Sequence, residues 1–114
     1  MTACVFCKIA KGEIGELIYE DKQVVAFNDI APQAPIHILV IPHRHIKMIN
    51  DITTPADENL LGHMVVVATQ LAHDKNIAVD GYRLVMNCNR NGGQAVFHIH
   101  LHLLGGRQMH WPPG

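Results

Sequence analysis

The chain has 114 residues, 48% of them hydrophobic and 17% charged, which is enough for one folded domain with a small core and too apolar for a disordered chain. Its formal net charge of −1, with no block of like charge, excludes the basic footprint of a nucleic-acid binder but not recognition of a single mononucleotide. No apolar run reaches the roughly 18 residues of a membrane span, and the start Met1-Thr2-Ala3-Cys4 lacks the basic and apolar parts of a signal peptide. Three cysteines, Cys4, Cys7 and Cys88, make no disulfide framework, so a reducing cytoplasm is the expected compartment.

In chain order, Cys4 to Lys11 is expected as one or two helical turns ended near Gly12. Leu17-Ile18-Tyr19-Glu20 and Val24-Val25-Ala26-Phe27 are short apolar runs separated by Asp21-Lys22-Gln23, the pattern of a hairpin. Pro32 and Pro35 break the chain into a loop, and Ile36 to Ile41 is a third strand closed by Pro42. Thr54 can cap a helix, Pro55 suits its first position, and Asp57 and Glu58 favour the positive end of its dipole. That helix is expected to run to about Asn76. Its apolar set of Leu60, Leu61, Met64, Val65, Val66, Val67, Ala68 and Leu71 is too wide for one stripe, which favours a second buried side and hence a subunit interface. Tyr82 to Cys88 reads as a fourth strand, Asn89 to Gln94 as a turn, and Val96 to Leu104 as a fifth strand ended by Gly105-Gly106. Residues 105–114 are then a tail. The order gives an α+β fold, an antiparallel sheet of about five strands with one long helix packed on it, over a single domain of residues 1–114.

The fifth strand contains His98-Ile99-His100-Leu101-His102. Period two puts the three histidines on one sheet face and Ile99, Leu101 and Leu103 on the other. Neutral imidazole is a nucleophile, a proton carrier and a metal ligand. A row of three therefore marks a site, either for chelation by all three or for acid–base and nucleophilic work. Just upstream, the glycines of Asn91-Gly92-Gly93-Gln94 can turn backbone N–H groups toward one anion, as in a phosphate nest. Cys4-Val5-Phe6-Cys7 has zinc-ligand spacing but supplies only two of four ligands, with His45 and His98 as candidates for the rest.

His98-Ile-His-Leu-His-Leu-Leu104 resembles the signature of the histidine triad family. Asp29 to Pro42 and the terminal Gly105-Gly-Arg-Gln-Met-His-Trp-Pro-Pro-Gly114 resemble its nucleotide-binding branch, and the likeness covers essentially the whole chain. The resemblance implies a homodimer that binds purine nucleotides and hydrolyses nucleoside 5′-phosphoramidates such as adenylated amines, with no cofactor needed for the chemistry. It implies His100 as nucleophile, His102 as a phosphate contact, and His98 with His37 as a supporting proton-relay or hydrogen-bonded pair. Asp29 would hold the ribose hydroxyls, with Phe27 and Ile30 near sugar and base. Asn87, Gly93 and Gln94 would face the phosphate, and Trp111 would shape the leaving-group side. In relatives that keep both cysteines, a structural zinc is held by residues matching Cys4, Cys7, His45 and His98. The branch commonly has Ser after the Gly-Gly-Gln, where this chain has Ala95. That departure bears on rate and leaving-group preference. It also motivates a rival reading as a nucleotide sensor or adaptor with vestigial catalysis. A second rival treats the three histidines as the catalytic zinc site of a metallohydrolase.

Overall fold

A computed structural model describes residues 4–114; residues 1–3, the start of the expected domain, lie outside the described residues. The elements are α1 (Val5–Ala10), β1 (Tyr19–Glu20), β2 (Val24–Asn28), β3 (Ile36–Pro42), a short 3-10 turn (Ile49–Asp51), α2 (Pro55–Asp74), β4 (Tyr82–Val85) and β5 (Leu101–Gly105). The five strands form one antiparallel sheet, as expected from the sequence, and their order in it is β1-β2-β3-β5-β4.

Strand alternation sorts the sheet into two faces. Val24 and Ala26 of β2, Ile38 and Val40 of β3, and Leu101 and Leu103 of β5 pack under α2. Val25 and Phe27, with Leu39 and Ile41, face the other way and are covered by Phe6 and Ala10 of α1. The histidines lie on this second face, opposite Ile99, Leu101 and Leu103.

Helix α2 starts as the residues dictate. Thr54 accepts a hydrogen bond from Asp57 N–H, and Pro55 occupies the first turn. Asp57 is itself buried, bonded to Thr53 N–H and the Arg44 guanidinium. Leu60, Met64, Val67, Ala68, Leu71 and Ala72 are buried at helical spacing, so a single stripe meets the sheet. Complete burial of Met64 or Val67 contributes roughly 2 kcal/mol each. The remainder of the wide apolar set is uncovered: Val65 is 39% and Val66 51% exposed. At the far end of the sheet, Asp21 closes the β1–β2 turn by accepting from Gln23 N–H, Val24 N–H and Tyr19 Oη–H. It also pairs with His63 of α2.

Several elements are shorter than the sequence suggests: β1 is paired only over Tyr19–Glu20 instead of from Leu17, and β4 and β5 are cut back further. The strand expected over Val96–Leu104 is paired only from Leu101, where the register Leu101↔Val40 begins. His98 and His100 precede that ladder, held instead by Ile99 N–H on Ile46 O at 2.8 Å. The strand expected to reach Cys88 stops at Val85, opposite His102, and beyond it Gly92 folds back onto Cys88. A side chain on Gly92 would meet Cys88 O at 2.5 Å.

Candidate active site and metal centre

Backbone groups set the tautomers of His98, His100 and His37, and His37 in turn sets that of His102. His100 Nδ1 lies 2.8 Å from His98 O, and a carbonyl only accepts, so Nδ1 carries the proton. Neutral His100 therefore presents a bare Nε2, the atom a nucleophile needs. His98 Nε2 donates to Pro42 O at 2.8 Å, which leaves its Nδ1 lone pair facing the opposite way. Burial pushes the pKa of His98 down to about 4. Phe6 packs edge-on against both rings, with centroids 6.0 Å from His98 and 5.1 Å from His100.

His37 and His102 form a second unit. Gln33 N–H donates to His37 Nδ1 at 3.0 Å. Burial lowers the pKa of His37, opposed in part by the Asp29 carboxylate, so the ring is neutral near pH 7. Its proton must then sit on Nε2, which lies 2.9 Å from His102 Nδ1. Burial pushes His102 down to about 4 as well, and its accepting Nδ1 leaves the proton on Nε2. That Nε2 is buried without a hydrogen-bond partner. A buried N–H without a partner is costly, and an incoming anionic oxygen would satisfy it.

This geometry corrects the expected pairing of His37 with His98. His37 lies on β3 diagonal to His102, whose register partner is Leu39, so their side chains share a face. The His98 ring is turned away to Pro42 and the cysteines. A metallohydrolase needs the three histidines to converge, and they do not. Among the described residues, His98 belongs to a cluster with Cys4, Cys7 and His45, His102 to one with Asp29 and His37, and His100 to neither. The Asp29–His37–His102 group is poorly suited to a cation, because Gln33 N–H keeps the His37 proton on Nε2, the atom that would ligate.

The cysteine cluster fits a metal well. Cys7 Sγ is 3.3 Å from His45 Nδ1 and 3.6 Å from His98 Nδ1; Cys4 Sγ is 3.5 Å from His98 Nδ1, and the two Nδ1 atoms are 3.2 Å apart. Tetrahedral zinc with bonds of about 2.1 Å to nitrogen and 2.3 Å to sulfur spaces its ligand atoms roughly 3.4 to 3.8 Å apart, within a few tenths of an ångström of these distances. The Pro42 carbonyl on His98 Nε2–H is the outer partner a ligating imidazole usually has.

Around the histidines, Asp29 directly follows β2, with its backbone N–H on His37 O. Its Oδ1 accepts from Ala31 N–H, and its Oδ2 lies 3.4 Å from His37 Nε2. Ile30 beside it is fully exposed. Phe27 is buried against Phe6 at 5.5 Å between centroids. Asn87 is half-buried just past β4. The phosphate nest expected at the glycines is not formed: Gly93 N–H bonds Arg90 O and Gln94 N–H bonds Asn89 O. The Gln94 side chain is also turned inward, accepting from Asn89 N–H and donating to Lys47 O and Val96 O. It pins three loop segments together and has no polar atom left for a phosphate. Ala95 is exposed next to it. Trp111 stands out on the tail, 83% exposed, where Arg83 donates to His110 O. Phe6, Gln33 and Pro42 were absent from the expected site. The latter two act through backbone groups that leave no mark in a sequence, whereas Phe6 sits between the two cysteines.

The family model described as "Scavenger mRNA decapping enzyme C-term binding" matches residues 3–111. The purine nucleoside phosphoramidase of Escherichia coli K12 is 52% identical over 106 residues, covering 92% of this chain and 88% of that protein. The crystal structure of a HIT family hydrolase from Legionella pneumophila superposes with a TM-score of 0.93 at 55% identity, covering 97% of this chain and 99% of that one. A histidine triad nucleotide-binding protein from Candida albicans superposes at 0.79 and 30% identity, covering 96% and 83%. Sharing fold, motif and nearly full length with these proteins, the chain belongs to the histidine triad family.

Proposed function

We propose that this protein is a homodimeric purine nucleoside phosphoramidase that works through a nucleotidyl-His100 intermediate. The observation that carries the reading is the pairing of complementary tautomers. His100 offers a bare Nε2, and His102 offers a buried, unpartnered Nε2–H, with the ring centroids 5.0 Å apart. In the first step His100 Nε2 attacks phosphorus, and the bond to the amine nitrogen breaks as that nitrogen takes a proton from solvent and leaves as the neutral amine; the water consumed in the second step returns a proton to solvent. In the second, water attacks phosphorus and the bond to His100 breaks, which releases the nucleoside 5′-monophosphate. His102 Nε2–H hydrogen-bonds a phosphoryl oxygen as charge builds on it, the role of an oxyanion-hole donor. Asp29 is poised for the ribose hydroxyls, with Ile30 offering the base an apolar surface and Asn87 and Gly93 bordering the phosphate. The 52% identity to an enzyme named for this activity supports the same substrate class. The decisive experiment is turnover of adenosine and guanosine 5′-phosphoramidates by purified protein, with and without chelator. Activity insensitive to chelator is expected. Nucleotide binding without turnover would instead make the protein a sensor, with Ala95 as the first residue to restore to Ser.

Cys4, Cys7, His45 and His98 would hold a structural zinc, which when bound would staple α1 to the sheet and supply no chemistry to the phosphoryl group. The dimer reading rests on α2. Val65 and Val66 lie outside the stripe that meets the sheet, and the chain exposes 7041 Å² where a compact monomer of 12.7 kDa would expose about 6,200 Å². Sedimentation at micromolar concentration should give a dimer, and Val66→Glu should give monomers. A wild-type monomer under those conditions would refute this architecture. In the dimer, the tail with Trp111 would reach toward the partner's site and shape its leaving-group side.

A further inference from the structure

Residues 96–100 bring the nucleophile up to the sheet, yet the β5 ladder begins only at Leu101. Strand pairing therefore does not fix the approach to His100. Two other bonds tie its backbone down. Ile99 N–H donates to Ile46 O at 2.8 Å, and the Gln94 side chain donates to Val96 O at 3.0 Å. The same amide nitrogen donates to Lys47 O at 2.7 Å, and the amide oxygen accepts from Asn89 N–H at 2.8 Å. A peptide N–H only donates and a carbonyl only accepts, so these partners fix which way the amide points. Gln94 N–H also closes on Asn89 O at 3.0 Å, which joins the two ends of the turn, and Asn89 takes the left-handed backbone this needs, with φ 60°. Gln94 is 7% exposed, and both amide protons and the oxygen are spent on backbone groups of three separate segments.

We propose that Gln94 is a positioning residue for the reaction at His100: it locks the loop that leads into the histidines onto the segment that follows β3. Val96 stands two residues before His98, and His98 O is the acceptor that keeps the His100 proton on Nδ1. With Val96 unpinned, His98 O shifts away from His100 Nδ1. The ring then also populates the tautomer with its proton on Nε2, which cannot attack. On the other side of the pin, residues 45–47 carry three attachments in succession. His45 Nδ1 faces Cys7, Ile46 O holds Ile99, and Lys47 O holds Gln94. The segment beside the cysteine cluster is thereby also the support of the nucleophile. The kinetic consequences rest on the phosphoramidase reading; the bonds made by Gln94 do not.

Two substitutions separate positioning from a direct contact with the phosphate. Gln94→Glu keeps the shape and the acceptor for Asn89 N–H, but its carboxylate cannot donate to Lys47 O or Val96 O. Gln94→Met fills a similar volume and makes none of the three bonds. Both should slow formation of the His100 adduct in a single turnover by roughly 10- to 100-fold, the scale expected when a reacting group is misplaced. The dissociation constant of adenosine 5′-monophosphate should stay within about threefold of wild type, because no group that touches nucleotide has been removed. The reverse pattern, with the monophosphate bound at least about tenfold more weakly and adduct formation at saturating substrate unchanged, would make Gln94 a phosphate contact and overturn the proposal. Adduct formation at the wild-type rate in both variants would overturn it as well. In ¹⁵N-histidine spectra, wild-type His100 should be a single Nδ1–H tautomer and the His100 of Gln94→Glu a mixture of the two. A pure Nδ1–H tautomer in that variant would refute the route through His98 O. If neither variant folds, hydrogen exchange of the wild type decides. Both side-chain amide protons of Gln94 should be strongly protected, with and without adenosine 5′-monophosphate, and rapid exchange of either would remove the pin. A wild type that forms no adduct would sink the phosphoramidase reading and leave the spectra and the exchange rates to judge Gln94.

Discussion

Replacing His100 by alanine is expected to lower kcat on an adenosine 5′-phosphoramidate by roughly 10⁴-fold and to abolish covalent labelling of the protein. The loss is large because no neighbour can substitute. His98 Nδ1 faces the cysteines, His102 presents its Nε2–H, and the His37 Nε2–H is taken up by His102 Nδ1. Of these four rings, His100 is the one whose lone pair is neither turned to the cysteines nor engaged by a donor, left so by the bond from its Nδ1 to His98 O. Phosphorus–imidazole bonds are acid-labile and fairly stable in base. Brief exposure to substrate and a quench at high pH should therefore leave one nucleotide per chain in the intact mass. His102→Ala keeps the nucleophile and loses a donor, so it should still form the adduct, about 10² to 10³-fold more slowly. An equal adduct yield in His100→Ala would remove His100 from the role.

Much of this arrangement was legible in the sequence, and the parts that were not share a cause. The period-two histidines, the Thr54-Pro55 helix start and the turn residues around Asp21 are local signals. They gave the sheet, α2 and the histidine face directly. The extent of β5 was not local: pairing requires a partner, and β3 supplies one only from Val40 to Ile36. The partner of His37 is non-local for the same reason. Which histidine it meets depends on the register of β3 against β5, and a two-residue shift of register would select another member of the triad. Asn91-Gly92-Gly93-Gln94 has the composition of an anion nest, yet its N–H groups close its own turn and Gln94 points inward. Composition reveals that a loop can adopt unusual backbone angles, not where its donors go.

Loss of the cysteines should cost stability far more than chemistry. In Cys4→Ser/Cys7→Ser, or after chelation of the wild type, the melting temperature is expected to fall by about 15 °C. Ion held at about a thousandfold above its dissociation constant contributes about 4 kcal/mol to the folded state, and each kcal/mol shifts the transition of a domain this size by about 4 °C. The six-residue α1 is too short to persist alone, so its attachment falls to the cluster and to Phe6 and Ala10 in the core. Turnover well below the new melting point should stay within about tenfold of wild type. The His98 carbonyl that orients His100 is also held by Pro42 on the His98 ring and by Ile99 N–H on Ile46 O. Elemental analysis of metal-replete protein should give about one zinc per chain with four ligands in the site, a closed shell with no position open for substrate. Zinc-free protein with an unchanged melting temperature would end the metal assignment. Loss of turnover in the double variant with stability intact would mean that the cysteines act in the chemistry itself, against the division of labour drawn from the rings of His98 and His100.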